Sequence, residues 1–148
     1  SSIEVEEYYA AHKDDFMLKD YIVKALYLKI SKGTPDVEKA QLHFKLEQET
    51  DVNEMRYYAD LYAVQFHYDP EQWLFFEDVL KVIPLEGINT ESFLRKKKKT
   101  MFEDENFIYF INITDFTLKD AISPLSFEKE KIKTILFKIT FINVNSFG

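Results

Sequence analysis

The sequence predicts an α+β fold in which a small antiparallel sheet is packed by helices and flanked by N- and C-terminal helical arms. Three patterns predict it: apolar residues at helical spacing near both ends, an early segment of period-two alternation, and a late pair of such segments joined by a polar turn. The chain has 148 residues, of which 46% are hydrophobic. This composition suffices for one core and argues against disorder.

The first thirty residues predict a helix followed by a strand. Apolar and aromatic residues recur at helical spacing over residues 3–16, and Glu4 and Glu6 lie in the first turns, where they complement the helix dipole. Residues 22–30 alternate instead, with Ile22, Leu26, Leu28 and Ile30 on one side and Val23, Ala25, Tyr27 and Lys29 on the other. We therefore expect a strand that is packed on one face and semi-polar on the other.

Two consecutive helices are predicted after this strand. Thr34 can cap a helix over residues 35–48, because proline suits the first helical position. Asp51 or Asn53 can cap the next helix, whose apolar stripe has spacings of three and four and continues to Phe66. Short loops are expected around both.

The middle of the chain predicts a short helix followed by irregular structure. The aromatic residues 73–76 (WLFF) lead into an amphipathic segment that stops before Pro84. After Gly87 the pattern is irregular, and residues 95–99 form a basic run. We expect this run in a solvated loop, because the rest of the chain is strongly acidic.

The C-terminal third predicts a hairpin and then a helix. Residues 99–102 and 107–113 form the two arms, with a turn at residues 103–106. Ser126 is expected to cap a helix that ends at about Lys138. From Ile139 onward the β-branched residues give a strand-like pattern, which the helix does not explain.

Charge and composition exclude several classes of function. With 19 basic and 26 acidic residues the net charge is −7, which opposes binding of nucleic acid. No apolar run approaches the roughly 20 residues of a membrane span. The chain has no cysteine, and His12, His43 and His67 lack the spacing of metal ligands, so we expect no metal and no cofactor. These histidines are interpreted as surface or packing residues.

Several short segments, in their order along the chain, carry a resemblance to a known family. They are EYYAAHKDDF at 7–16, VKALYL at 23–28, WLFF at 73–76, FIYFI at 107–111 and SFE at 126–128. These segments resemble the entry helix, first strand, aromatic turn, last strand and exit helix of the parvulin-type prolyl isomerase domain in SurA-like and PrsA-like envelope folding factors. The resemblance covers residues 4–137 and is one of pattern and order.

The resemblance implies a domain organisation and a location. A parvulin-like domain would occupy residues 21–117, between an N-terminal helical arm at 1–20 and a C-terminal helix and tail at 118–148. The whole would form part of a larger chaperone-like protein. It also implies a periplasmic or cell-envelope location and an unfolded or proline-containing polypeptide as the partner.

Tyr27 and Tyr109 stand where the resemblance places the two histidines of the family. Prolyl isomerisation breaks no covalent bond, so a catalyst has to stabilise the twisted amide with oriented polar groups. A phenol, with a reference pKa of about 10, cannot replace imidazole as an acid or base near neutral pH. The residues 69–72 (DPEQ) also replace the glycine-rich loop of the family. We expect weak or no isomerase activity. Tyr27 and Tyr109 are the candidate catalytic residues, but the favoured interpretation of both is that they are ordinary half-buried sheet residues.

Trp73, Phe75, Phe76 and Phe110 are candidates for a peptide-binding groove, because aromatic surfaces bind apolar and proline-containing segments. The alternative is that each is a core residue, since a chain with 14 phenylalanines must bury most of them.

Three functions therefore remain open. The first is a parvulin-like peptide-binding domain with weak or no isomerase activity, and the second is an active isomerase with an altered site. The third is a structural module that docks to another domain of the same protein through its helical arms, with Tyr8, Tyr9 and Phe16 on the docking face.

Overall fold

The predicted α+β class with an antiparallel sheet and helical ends is confirmed by the computed structural model, which describes residues 1–146. The chain divides into two compact units. One consists of Ser1–Asp20 together with the segment from Thr117 onward, and the other is Tyr21–Phe116. The sheet belongs to the second unit, apart from the last residue of its longest strand.

The sheet has five strands among the described residues. They are β1 (Ile22–Ser31), β2 (Gln65–Tyr68), β3 (Leu74–Phe75), β4 (Lys99–Glu103) and β5 (Phe107–Thr117). Their order is β2-β1-β5-β4, and the short β3 pairs with β1. Strands β1 and β5 are therefore the two central strands.

Six α-helices lie among the same residues. They are α1 (Ser2–Ala11), α2 (Val37–His43), α3 (Asp51–Tyr62), α4 (Phe76–Val82), α5 (Thr90–Lys96) and α6 (Leu125–Ser146). A short 3₁₀ helix at Lys13–Phe16 follows α1.

Strand β1 is packed on one face, as predicted, while its second face is fully buried at Val23 and Ala25 and half-buried at Tyr27 and Lys29. Leu26 and Leu28 pack in a first core cluster with side chains of α2 and α3. Val23 and Ala25, on the opposite face, are 0% and 1% exposed and pack in a second cluster with side chains of α4 and α5. Helices cover both faces of this central strand, so small and branched apolar residues occur at both parities.

Helix α2 is shorter than predicted at both ends. Thr34 does not cap it, because its hydroxyl donates instead to the carbonyl of Ser31 in the turn after β1. Asp36 takes a left-handed backbone conformation (φ 58°), which delays the helix to Val37. The amide of Asn112, buried on β5, donates to the carbonyls of Phe44 and Lys45 just past the end of α2. These bonds satisfy carbonyls that the end of the helix leaves unpaired.

Two elements of the second unit, β2 and α5, were not predicted from the sequence. Helix α3 ends at Tyr62, and Phe66, which continues its apolar stripe, lies on β2 opposite Leu28. Pairing with the central strand outweighs the helical spacing there. The region after Gly87, predicted to be irregular, contains α5, whose first turn is capped by the Asn89 side chain accepting the amide of Ser92 at 3.0 Å.

The predicted hairpin is confirmed as β4 and β5, which pair from Lys99 opposite Asn112 to Glu103 opposite Ile108. Residues 95–99, expected in a solvated loop, instead belong to the end of α5, a left-handed residue at Lys97 and the start of β4. Their side chains are exposed.

In the first unit, α1 and α6 share a small core made by Val5, Phe16 and Ile132. The helix predicted over residues 3–16 is interrupted at His12, where the 3₁₀ helix begins. Tyr8 and Tyr9 also pack against this core, and the Tyr9 hydroxyl donates to the carbonyl of Ser123 at 2.6 Å. The face proposed for docking is thus occupied within its own unit.

Helix α6 begins before Ser126, so this residue lies inside the helix and does not precede it. The helix also continues to Ser146, which corrects the strand-like prediction for residues 139–146; the remainder of that prediction, residues 147–148, lies outside the described residues. Several apolar side chains in its second half are exposed: Phe137, Ile139, Phe141, Ile142 and Val144. No helix within residues 1–146 combines the length and apolar character needed to cross a bilayer.

Candidate functional site

Tyr27 and Tyr109 lie on the neighbouring central strands β1 and β5 and point to the same face of the sheet. Both belong to the second core cluster, Tyr109 as a member that is 3% exposed and Tyr27 as a half-buried residue at its border. The two positions that the resemblance assigns to histidines are therefore close together in the sheet. We call this face the tyrosine face.

The hydroxyl of Tyr109 is fixed by the turn of the hairpin. It donates to Oδ2 of Asp104 at 2.6 Å, while Oδ1 of Asp104 accepts the amides of Asn106 and Phe107 at 3.0 and 2.9 Å. The phenol bond and the two amide bonds lower the pKa of Asp104 below its usual value. Burial, followed by the bond to this carboxylate, raises the pKa of Tyr109 to about 12. The phenol is therefore neutral near pH 7, and its proton is committed to Asp104.

Tyr27 has a different polar environment. Its ring stacks on that of His67, its partner across β1 and β2, with ring centroids 5.5 Å apart and planes inclined by 22°. Burial raises the pKa of Tyr27. Within residues 1–146 its hydroxyl makes no hydrogen bond, so it can bond to a ligand.

His67 brings an imidazole to the border of the tyrosine face. Its Nε2 atom is buried and has no hydrogen-bond partner among the described residues. Burial lowers the pKa of His67, although the nearby charge of Asp69 opposes the shift. The ring is thus mainly neutral near pH 7 and able to accept or donate one further hydrogen bond.

An open cavity of about 390 Å³ adjoins Tyr109. Its walls include Pro84, Leu85, Phe102 and the carboxylate of Asp104. Phe102 connects the cavity to Tyr109, because the two rings stack with centroids 4.9 Å apart. Thr100, Glu86 and Glu103 complete the lining, so the cavity has an apolar side and an acidic side. Its volume suits a short peptide segment, with a proline ring on the apolar side.

One lysine adds positive charge to the tyrosine face. The Lys29 ammonium on β1 lies 4.1 Å from the ring centroid of Phe107 and 5.9 Å from that of Tyr109. Its charge also contributes to the lowered pKa of Asp104. The face therefore combines aromatic rings, a carboxylate and an ammonium within one side of the hairpin.

The four aromatic residues predicted to line a groove are not brought together. Phe110 is 0% exposed and packs edge-on against Phe44 in the first core cluster, on the face opposite Tyr109. Successive residues of a strand point to opposite faces, so Phe110 cannot share a surface with its neighbour. Phe76 is 2% exposed and packs in the second cluster, where its ring lies 6.2 Å from that of Phe93. Both are core residues, as in the alternative interpretation.

Trp73 and Phe75 keep more surface. The Lys24 ammonium lies 4.7 Å from the Trp73 ring centroid, and Phe75 on β3 is 39% exposed. Neither lines the cavity beside Tyr109. The concave surface of this region is thus formed by Phe102 and the residues around Pro84.

Three residues of this site, Phe102, Asp104 and His67, were not predicted from the sequence. Asp104 lies in the predicted turn, but a turn of residues 103–106 would set Phe102 opposite Phe107. The observed register instead pairs Phe102 with Tyr109, so the contact between these two rings does not follow from the predicted hairpin. The apolar spacing of three and four continues through Phe66, so the sequence predicted a helix here and gave no reason to place His67 in the sheet. Only the assignment of residues 65–68 as a strand places it beside Tyr27.

Among residues 1–146, no group of three or more histidine, aspartate or glutamate side chains is arranged to hold a metal ion.

Comparison with known proteins finds no match for this chain. No protein-family model matches the chain, and neither a curated protein nor a solved structure matches it significantly.

Proposed function

We propose that the chain is a parvulin-like peptide-binding domain of a cell-envelope folding factor, with weak or no prolyl isomerase activity. Its partner is an unfolded or proline-containing polypeptide, which binds in the cavity beside Tyr109. The envelope location comes from the sequence resemblance.

One observation carries this proposal. Tyr27 and Tyr109, the two positions matched to the family's histidines, lie on adjacent central strands and on one face. Tyr109 also contacts Phe102 and Asp104, which line an open cavity. The order of the elements also supports it, because the entry helix, first strand, helix pair, short helix, hairpin and exit helix follow the order in the resemblance.

The polar groups support binding better than catalysis. The Tyr109 proton is committed to Asp104, so this hydroxyl offers a ligand only its acceptor side. Tyr27 is left as the one free hydroxyl of the pair, and its raised pKa keeps it neutral. A peptide can bond to it, but the oriented pair of groups that would stabilise a twisted amide is incomplete.

The test is to titrate Ala-Xaa-Pro-Phe peptides into the protein while measuring both binding and cis/trans exchange by NMR. We expect amide shifts at the cavity residues, with exchange staying at the uncatalysed rate, whose time constant is tens to hundreds of seconds. Phe102→Leu removes the aromatic wall and is expected to weaken binding by about fivefold. Met101→Leu is the matched control, because Met101 alternates to the other side of β4 and is 38% exposed.

The outcome separates the remaining functions. Binding without accelerated exchange supports the proposal, and no binding at the cavity rejects it. Accelerated exchange that is lost in the double variant Tyr27→Phe with Tyr109→Phe would instead make the chain an active isomerase.

The active isomerase is the second candidate because one observation favours it. His67 supplies a neutral imidazole whose ring stacks on Tyr27. His67→Phe keeps an aromatic ring in the stack and removes the nitrogen atoms. Loss of accelerated exchange in this variant, with binding retained, would assign the imidazole a role in the reaction.

A further inference from the structure

A second cavity lies between α2 and α3, next to the first core cluster and thus away from the tyrosine face. It has a volume of about 70 Å³. The side chains that matter for its chemistry are Tyr57, Tyr58, Tyr62, Asp36, Glu54 and Lys39. Drug-sized ligands need several hundred cubic ångströms, so a cavity of this size suits one small chemical group.

Three tyrosines of α3 form its aromatic walls. The rings of Tyr58 and Tyr62 meet at a corner, with centroids 5.1 Å apart and planes inclined by 57°. The Tyr58 hydroxyl donates to the carbonyl of Pro35 at 3.0 Å, which fixes the ring against the segment before α2. Tyr57 is 67% exposed and is free to close over a bound group. All three tyrosines line the cavity, and because Tyr58 is only 3% exposed, Tyr57 and Tyr62 supply most of the ring surface open to a ligand. Aromatic faces attract a cation through their quadrupoles.

Acidic groups at the same cavity favour a cation further. Asp36 precedes α2 and Glu54 lies on α3, so carboxylates border the cavity from both elements. Burial, followed by the charges of Tyr62, Asp36 and Glu38, raises the pKa of Tyr58 to about 12. Its phenol therefore stays neutral near pH 7.

His43 lines the cavity on the α2 side, and Asp51 fixes the orientation of its ring. Its Nδ1 donates to Oδ1 of Asp51 at 2.8 Å. Oδ2 of Asp51, which is 2% exposed, accepts the amides of Glu47 and Gln48. This wall is thus preorganised, which lowers the entropic cost of binding.

We propose that this cavity between α2 and α3 binds an ammonium head group, with methylated ammonium as the best fit. The tyrosine corner contacts the methyl groups, and Asp36 and Glu54 balance the charge. Lys39 is the one lysine or arginine on the cavity wall among the described residues, and its exposed, flexible side chain competes with the ligand. Removing its charge should therefore strengthen binding.

The test uses probes that separate charge from shape. Choline is compared with 3,3-dimethylbutan-1-ol, its neutral isostere, and a peptide with trimethyllysine is compared with the same peptide carrying norleucine. NMR follows the ring protons of Tyr57, Tyr58 and Tyr62 during each titration. We expect each charged probe to bind about tenfold more tightly than its neutral partner. Binding of choline assigns the site to a free small molecule, and binding of the peptide alone assigns it to a modified side chain.

Variants test whether the cavity itself is responsible. Tyr62→Leu should weaken binding by about tenfold, and Glu54→Gln by about threefold, whereas Lys39→Gln should strengthen it. Glu71→Gln is the matched control, because it makes the same charge change on an exposed loop and should leave binding unchanged. Equal binding of charged and neutral probes, or an equal effect of Glu54→Gln and Glu71→Gln, would overturn the proposal. So would the absence of binding by both charged probes.

Discussion

The hydroxyl of Tyr109 donates a hydrogen bond to Oδ2 of Asp104 across 2.6 Å, which ties the buried side of β5 to the turn that precedes it. Oδ1 of the same carboxylate accepts the amides of Asn106 and Phe107. One turn residue thus fixes both the shape of the hairpin and the direction of the phenol. Because the Tyr109 proton is used in this bond, the tyrosine face offers a ligand fewer hydrogen-bond donors than its two tyrosines suggest.

Tyr109→Phe should raise the pKa of Asp104 toward its usual value, because the phenol bond contributes most to the lowering. A ¹³C NMR titration of the aspartate carboxyl carbons measures this. The stabilisation linked to the lowered pKa is present above the unfolded pKa of about 3.9 and is lost as the pH falls through the folded value. The stability difference between wild type and variant should therefore shrink in acid.

Tyr27→Phe is the matched control for this titration, since the Tyr27 hydroxyl makes no hydrogen bond within residues 1–146. It should leave the pKa of Asp104 unchanged. An unchanged pKa in Tyr109→Phe as well would show that the bond is absent in solution.

Asp51→Ala should lower the free energy of unfolding by about 3 kcal/mol. The Asp51 side chain is 3% exposed and accepts hydrogen bonds from His43 and from the amides of Glu47 and Gln48, so its removal leaves three donors unpaired. Urea unfolding monitored by circular dichroism measures the change. Asp60→Ala, an exposed position on the same helix, should change stability by less than about 0.5 kcal/mol.

The Asp51 variant should also lose part of the pH dependence of stability. Burial acts to raise the pKa of Asp51, but the bonds from His43, Gln48 and Glu47 outweigh it and hold the pKa below its usual value. Its contribution is therefore present above pH 4 or so and is lost as the pH falls through the lower folded value. Equal loss of stability in acid for wild type and Asp51→Ala would contradict this.

The sequence predicted the fold class and most elements because their patterns are local. The alternation over residues 22–30 and the hairpin at residues 99–113 both correspond to observed strands. What it did not predict depends on contacts between distant segments. Phe66 continues a helical spacing, but its segment pairs with β1, and no local signal reveals that partner. The same applies to Val23 and Ala25, whose burial depends on α4 and α5 covering the second face of the sheet.

The candidate site was predicted in part, for a related reason. The two tyrosine positions came from a resemblance that covers the central strands, and the structure places them on one face. Whether an aromatic residue lines a groove or the core depends on strand parity and on what covers the strand. Phe110 shows this, because it is adjacent to Tyr109 in sequence and lies in the opposite cluster.

Phe110→Ala should lower the free energy of unfolding by about 4 kcal/mol, because it removes a fully buried ring from the first core cluster. Phe75→Ala should cost about 1 kcal/mol or less, since Phe75 is 39% exposed. Urea unfolding of the two variants side by side measures the difference. Similar losses at the two positions would mean that Phe110 is not in the core or that Phe75 is covered.

The last prediction concerns helix α6, whose two halves should respond differently to mutation. Ile132 is 0% exposed and packs against Val5 and Phe16, so Ile132→Ala should lower the stability of the first unit by about 3 kcal/mol. Phe137 is 72% exposed, and Phe137→Ser should change it by less than about 0.5 kcal/mol. Hydrogen exchange of the α1 amides reads out this unit separately from the sheet.

Comparing the stability losses of Ile132→Ala and Phe137→Ser shows whether the second half of α6 lies in solvent or is covered in solution. A clear loss of stability in Phe137→Ser, at a protein concentration where wild type is monomeric, would mean that the exposed half of α6 packs against another part of the chain. A loss that appears only as the concentration rises would instead indicate association through the same side chains, since stability then depends on mass action. If neither occurs, Leu136, which packs against the same core one turn after Ile132, marks the last turn of α6 that contributes to folding of its unit.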